Sequence, residues 1–241
     1  MQIRFKRDTI FRKGFFTPES FAHPAKMDAQ LLIWLVEKYT KEGDTILDPM
    51  FGSGTLMLAC TLGRNVIGVE LEQKFIDMAK ANWEIVKMKP QLGSPMGWCE
   101  IRQGDARDLE GVLADTIITS PPYLDLIDYI QEDLISINFL FKKSKIDLIR
   151  AKSIGNRFKN DSLTEKLYWT RINLLLKEVV RILKPNHHFI LIINNYKNMK
   201  NLYERFILTN NFSIERILKR EVVNIKKRNN SEFVYFLKTN I

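Results

Sequence analysis

Short apolar runs alternate along this chain with stretches of helical periodicity, and that alternation is the strongest constraint on its fold. The runs are DTILD at 44–48, NVIGVEL at 65–71, CEIRQ at 99–103, DTIIT at 115–119 and HHFILIINN at 187–195. Between the first runs, DAQLLIWLVEKYTK at 28–41 puts Leu31, Leu32, Leu35 and Val36 on one helical face. LMLACTLG at 56–63 reads as a helix closed by Gly63, and EQKFIDMAKANWEIVKMK at 72–89 as a second amphipathic helix. Further helices are expected over 164–183 and 199–210, and 212–239 reads as two strands joined by a hairpin around Asn229–Asn230. The expected fold class is α/β: a doubly wound, mostly parallel sheet with helices on both faces, and a C-terminal antiparallel hairpin at one edge. One domain is expected over 1–241. In such sheets a ligand sits beyond the carboxyl ends of the strands, near the switch point. The residues to examine are therefore Asp48 onward, Glu70, Asp105 and Ser120 onward.

Composition narrows the class of function. With 45% hydrophobic and 27% charged residues, a disordered or fibrous chain is excluded. Two cysteines, Cys60 and Cys99, exclude a disulfide framework and a cysteine zinc cage. The opening MQIRFKRDTIFRKG lacks the apolar core of a secretory signal. No apolar run approaches the roughly 20 residues that cross a bilayer. The expectation is a soluble, cytoplasmic protein with no membrane partner. The formal charge of +9 favours polyanions such as nucleic acid. It is concentrated at Arg4 to Lys13, Lys142 to Lys159 and Arg216 to Arg228, each of which reads most simply as a solvated face.

DPMFGSGT at 48–55 sets an acid, a proline and two glycines between a strand and a helix. Gly52 and Gly54 permit a tight turn and close approach of backbone to a ligand. The following helix offers free N–H groups. A structural strand-to-helix turn would use the same glycines, so this motif alone decides little. Glu70, 22 residues after Asp48, suits hydrogen bonding to ribose hydroxyls, and Asp105 could accept from an adenine amine. No GxxxxGK[ST] is present, and an acid at position 48 would repel a pyrophosphate. A ligand bearing an ammonium and a sulfonium charge, with a ribose and an adenine, fits better: S-adenosylmethionine.

DPMFGSGT, Glu70, GDARDL at 104–109 and SPPY at 120–123 together resemble the S-adenosylmethionine-dependent amino-methyltransferases that modify exocyclic amines of nucleic-acid bases, the N4-cytosine and N6-adenine DNA methyltransferases. FAHPAKM at 21–27 resembles their further cofactor motif, and the likeness spans about residues 20–195. The resemblance implies the Rossmann-like methyltransferase fold. It also implies that Asp48, Gly52, Gly54 and Thr55 surround the methionine part of the cofactor, with Pro49 and Phe51 in the same loop. Glu70 would hold the ribose and Asp105, beside Ala106, the adenine. His23 to Lys26 would close the pocket. A turn at His23–Pro24 and a solvated Lys26 account equally well for that last group.

A base amine is a poor nucleophile because its lone pair is delocalised into the ring. Acceptors around its N–H groups favour a pyramidal nitrogen that attacks a methyl group in line. Ser120 Oγ and the Pro121 carbonyl are the expected acceptors, Pro122 stiffens the turn, and Tyr123 would stack on a flipped base. Ser120 orients rather than acting as a base, since a hydroxyl has no useful basicity at neutral pH. Either Phe51 or Tyr123 could face the sulfonium, although Phe51 is equally suited to packing. Methylation at carbon 5 of cytosine needs a presented thiolate, and neither cysteine has such a setting. In the family resembled, Ser at the head of the motif goes with N4 of cytosine and Asp with N6 of adenine. The expected activity is N4-cytosine methylation of DNA, the alternatives being N6-adenine in DNA or a base amine in RNA such as tRNA. A nucleic-acid-binding protein that has lost activity is a further class, against which the intact motifs argue.

Asp128 and Tyr129 lie near enough to SPPY in sequence to line a base pocket. His187–His188 is set aside as a metal pair, and Trp34 and Trp169 are expected in the core. Segment 124–163 is the expected recognition insertion, a helix with the basic loop KSIGNRFKND. There Arg150, Lys152, Arg157 and Lys159 would touch phosphates and Asn156 would read a base edge. So small an apparatus implies a short site, help from a second copy of the chain, or preference for melted DNA. The expected partners are DNA, duplex or locally melted, a homodimer mate and a cognate restriction endonuclease.

Overall fold

The computed structural model describes residues 2–3, 8–22, 27–90, 93, 95–122, 161–194, 199–222 and 230–240. Its strands are β1 (Gln2–Ile3), β2 (Thr45–Asp48), β3 (Asn65–Glu70), β4 (Cys99–Gln103), β5 (Thr116–Thr119), β6 (Phe189–Asn194), β7 (Phe212–Val222) and β8 (Asn230–Thr239). They form one sheet in the order β1-β7-β8-β6-β5-β2-β3-β4. Strands β2 to β6 are mutually parallel, with Asp48 opposite Gly68, Leu47 opposite Ile117, Val66 opposite Cys99 and Ile118 opposite Ile190. β8 runs antiparallel to both β6 and β7. The doubly wound fold with C-terminal antiparallel pairing is as the alternation predicts.

The C-terminal hairpin lies toward one edge of the sheet, as expected, and β8 is its inner strand. It lies between β6 and β7, and the two-residue β1 pairs with β7 outside it. The reason is burial on both faces: Val234, Tyr235, Phe236 and Leu237 are all enclosed, whereas β7 keeps Glu215, Arg216 and Lys219 exposed. A continuous apolar run is the signature of an internal strand. Asn230 opens β8 instead of lying in the turn.

The helices are α1 (Thr9–Lys13), α2 (Ala29–Tyr39), α3 (Gln73–Val86), α4 (Asp161–Ile182) and α5 (Met199–Thr209). Period-2 alternation sends neighbouring strand residues to opposite cores. Ile46, Val66, Ile118, Ile190 and Val234 pack in one cluster with Leu31, Leu32, Leu35 and Val36 of α2. Leu47, Ile67, Ile117, Leu191 and Tyr235 face the other, with α4 and α5. Trp169 is buried in that second cluster, and Trp34 is half-buried against the first. The segment Thr55–Leu62 is a 3₁₀ helix rather than an α-helix, buried along its whole length. Gly63, at φ +77°, ends it in the left-handed cap that the sequence suggests.

Two arginines from the basic stretches are not solvated. Arg12 and Arg220 are 4% and 7% exposed. Arg12 pairs with Asp8 at 2.6 Å. Arg220 bridges Asp28 at 2.7 Å and Glu232 at 2.5 Å. Among the described residues no helix is long and apolar enough to cross a membrane.

Candidate active site

The carboxyl ends of β4, β3, β2 and β5 open on the same side of the sheet, because these strands are parallel neighbours. β2 is followed in sequence by β3 on one flank and has β5 on the other, so the switch point falls between β2 and β5. There Thr119 Oγ1 donates to Asp48 Oδ1 at 2.7 Å, and the Met50 N–H donates to the same oxygen at 3.0 Å. Burial pushes the Asp48 carboxyl up to about 7; these two bonds only partly offset it, and the charge of Glu70 adds to the rise.

The glycine turn is held from β3. Glu70 Oε2 accepts from the Gly52 N–H at 2.7 Å, and Oε1 from the Glu72 N–H at 3.0 Å. Burial raises the Glu70 carboxyl despite these bonds. Gly52 and Gly54 adopt φ of +52° and +85°, which only glycine accepts readily. The Phe51 ring lies over Gly68, where a Cβ would come within 2.3 Å of it. Packing is thus what Phe51 does here, and it is 3% exposed. Pro49 is buried in the same turn.

The N-terminal segment clasps this loop. Arg12 Nη1 donates to Thr55 Oγ1 at 3.2 Å, and the same guanidinium donates to the Met27 carbonyl. Asn82 of α3 is fully buried; it accepts from the Thr17 N–H and donates to the Ser53 carbonyl, each at 2.8 Å. The residues on either side of 23–26 are therefore anchored to the glycine loop. Asn82→Ala would leave two buried backbone groups unsatisfied, and a loss of about 3 kcal/mol in denaturant unfolding is expected. An unchanged midpoint would show that Asn82 does not hold the loop.

Beyond β4, Arg107 embraces Asp105: its Nε donates to Oδ1 at 2.7 Å and its Nη2 pairs with Oδ2. Ala106 is buried between them in sequence. Beyond β5, Ser120 is half-buried and Pro121 buried, while the Pro122 carbonyl accepts from the Tyr168 hydroxyl at 3.1 Å. Asp48, Gly52, Gly54, Thr55, Glu70, Asp105 and Ser120 therefore gather at one end of the sheet. His23, Lys26, Tyr123, Asp128, Tyr129, Arg150, Lys152, Asn156, Arg157 and Lys159 lie outside the described residues.

Sequence reasoning missed Thr119, Arg12, Asn82 and Tyr168. Their partners lie 71, 43, 29 and 46 residues away, so no local pattern marks them. Arg107 had a visible signal, standing two residues after Asp105 in GDARDL.

Parts of the chain are similar to known proteins. Residues 5–81 match a family model described as DNA methylase, of the N6/N4 type. The chain is 41% identical over 70 residues to the type II methyltransferase M.HinfI of Haemophilus influenzae, covering 29% of this chain and 20% of that protein. It is 41% identical over 63 residues to the type II methyltransferase M2.DpnII of Streptococcus pneumoniae, covering 26% and 24%. The chain thus matches only a fifth to a quarter of the length of these curated relatives. In fold it is similar to a TehB-like S-adenosylmethionine-dependent methyltransferase from Corynebacterium glutamicum, with a TM-score of 0.53, 13% identity and 92% of each chain covered.

Proposed function

We propose that the protein, whose residues 5–81 match the N4/N6 type of DNA methylase, transfers a methyl group from S-adenosylmethionine to the exocyclic N4 amine of cytosine in DNA. The observation that carries this reading is the 2.7 Å hydrogen bond from Thr119 to Asp48. It brings the acid of the glycine loop against the residue that precedes Ser120, so a cationic donor and a base amine could meet at one strand junction. The donor set supports the cofactor: among the described residues neither Asp48 nor Glu70 has a cationic side-chain partner, and burial raises both carboxyls. Carboxylates whose ionised form burial disfavours suit a ligand carrying an ammonium and a sulfonium.

When bound, S-adenosylmethionine supplies an electrophilic methyl group that passes to the amine nitrogen as the sulfur–carbon bond breaks. Asp48 and the turn to Thr55 hold its methionine end, Glu70 the ribose and Asp105 the adenine. For Asp105 that means sharing its carboxylate with Arg107. Ser120 Oγ and the Pro121 carbonyl accept from the amine N–H groups, aim the nitrogen lone pair, and stabilise the positive charge that develops on it. The amine proton then leaves to water. Tyr123 stacks on the flipped cytosine, and the basic residues between Arg150 and Lys159 hold the phosphates of duplex or locally melted DNA. The relatives' description as type II methyltransferases supports a cognate restriction endonuclease as partner.

Incubation with labelled S-adenosylmethionine and cytosine-rich DNA, adenine-rich DNA or bulk tRNA, followed by digestion, tests this directly. N4-methylcytosine from DNA is the expected product. N6-methyladenine would overturn the base assignment, label confined to RNA would overturn the DNA substrate, and no label would overturn methyl transfer. Ser120→Ala is expected to lower kcat by roughly 100-fold with unchanged cofactor affinity.

A further inference from the structure

Two prolines in succession make the Ser-Pro-Pro turn stiff but hard to anchor. Their rings set both φ angles and remove both N–H donors, so only the ψ angles and the carbonyls are left to orient it. The carbonyl of Pro122 is anchored from across the molecule. It accepts from Tyr168 Oη of α4 at 3.1 Å, and Tyr168 Oη lies 2.6 Å from Tyr203 Oη of α5. A carbonyl can only accept, so the single proton of Tyr168 goes to Pro122 and Tyr203 must donate to Tyr168. The hydrogen bonds therefore run one way, from α5 through α4 to the turn after β5. Burial holds the Tyr203 phenol protonated and able to donate at any ordinary pH.

The rings carrying these hydroxyls cannot swing aside. Tyr168 and Tyr203 are 1% and 0% exposed. Trp169 meets both edge-on, each at 5.1 Å, and stacks flat on Phe206 at 5.1 Å. Such packing confers positional precision on a hydroxyl that a solvated side chain would lack.

We propose that Tyr168 is a positioning residue for base methylation, with Tyr203 behind it as the fixed donor. Resting on the methyltransferase reading above, it holds the peptide plane between Pro122 and Tyr123. That plane joins, through the ring-fixed φ of Pro122, the preceding plane that carries the Pro121 carbonyl, so holding one restricts the tilt of the other toward the amine. Tyr168 touches neither cofactor nor base in this role; it acts through the turn.

The dipeptide Pro-Tyr occurs once in the sequence, at 122–123. Labelling proline carbonyls with carbon-13 and tyrosine amides with nitrogen-15 therefore gives one correlation peak, which reports the Pro122 carbonyl alone. Tyr168→Phe is expected to move that carbonyl resonance upfield, and Tyr203→Phe to move it less, since the direct bond survives. Cofactor affinity should stay within about twofold, while kcat falls about tenfold in Tyr168→Phe, and less in Tyr203→Phe, with little change in KM for DNA. An unmoved resonance would overturn the hydroxyl bond. A moved resonance with unchanged kcat would overturn the positioning role and leave the methyltransferase reading intact. Parallel losses of cofactor affinity and kcat in both variants would reduce the tyrosines to core packing. A wild-type protein that neither binds S-adenosylmethionine nor labels nucleic acid would overturn the methyltransferase reading, and the positioning role with it, whatever the carbonyl signal.

Discussion

Affinity for S-adenosylmethionine is expected to rise about tenfold per pH unit between pH 5 and 7 and to level off above. The cause is Asp48, whose carboxyl burial pushes up to about 7. A cation prefers the ionised carboxylate, so below pH 7 binding must expel the proton and loses affinity in proportion to the protonated fraction. Calorimetry in two buffers of different ionisation enthalpy should register that proton near pH 6. Asp48→Asn keeps an oxygen to accept from Thr119 and Met50 but carries no charge. Its affinity should be flat with pH and roughly 100-fold weaker than wild type at pH 8. The stability of the ligand-free protein runs with the opposite sign. A carboxyl raised from 3.8 to about 7 contributes stability that is present below pH 4 and lost as pH rises through 7. The loss amounts to as much as about 4 kcal/mol, so Asp48→Asn should be the more stable protein above pH 7. An affinity that does not change across this range would remove Asp48 from the cofactor site.

Arg220→Ala should be the most damaging single change among the described basic residues, at about 3–5 kcal/mol. It would remove the buried guanidinium that two acids share. Asp28 uses one oxygen to cap α2, accepting from the Gln30 and Leu31 N–H groups, and the other to meet Arg220 at 2.7 Å. Glu232 of β8 meets the same guanidinium at 2.5 Å. Arg220→Lys, with one ammonium in place of a fork, should fall between wild type and alanine. Because Asp28 directly follows Met27, whose carbonyl Arg12 holds, the alanine variant should also bind S-adenosylmethionine several-fold more weakly. Urea unfolding with a midpoint equal to wild type would show that the paired acids do not need Arg220.

Much of the sheet was legible because a strand of a doubly wound fold writes its burial into consecutive residues. Ile46 and Leu47, Val66 and Ile67, and Ile117 and Ile118 each divide between the two cores, which no surface strand would tolerate. Capping chemistry was legible for the same local reason, as at Gly63. The ends of β2, β3 and β5 were legible too, since polar residues at Asp48, Glu70 and Ser120 break the apolar runs. Which strand of the C-terminal hairpin lies inside was not legible, because hairpin signals describe the turn and say nothing of the order of its strands.

The fold class, the glycine turn and the acids and prolines that gather at one end of the sheet are written into the chain, because each depends on neighbours within a few residues. Which charges are solvated and which are buried depends instead on long-range packing. Arg12 and Arg220 sit in runs of lysine and arginine that look alike in composition, yet Arg220 finds Asp28 across 192 residues of chain. Likewise Thr119, Tyr168 and Tyr203 are ordinary residues until folding sets their hydroxyls 2.6–3.1 Å from Asp48, from Pro122 and from each other. A hydrogen bond depends on distance and direction in space, and along the chain those are set by packing, not by spacing.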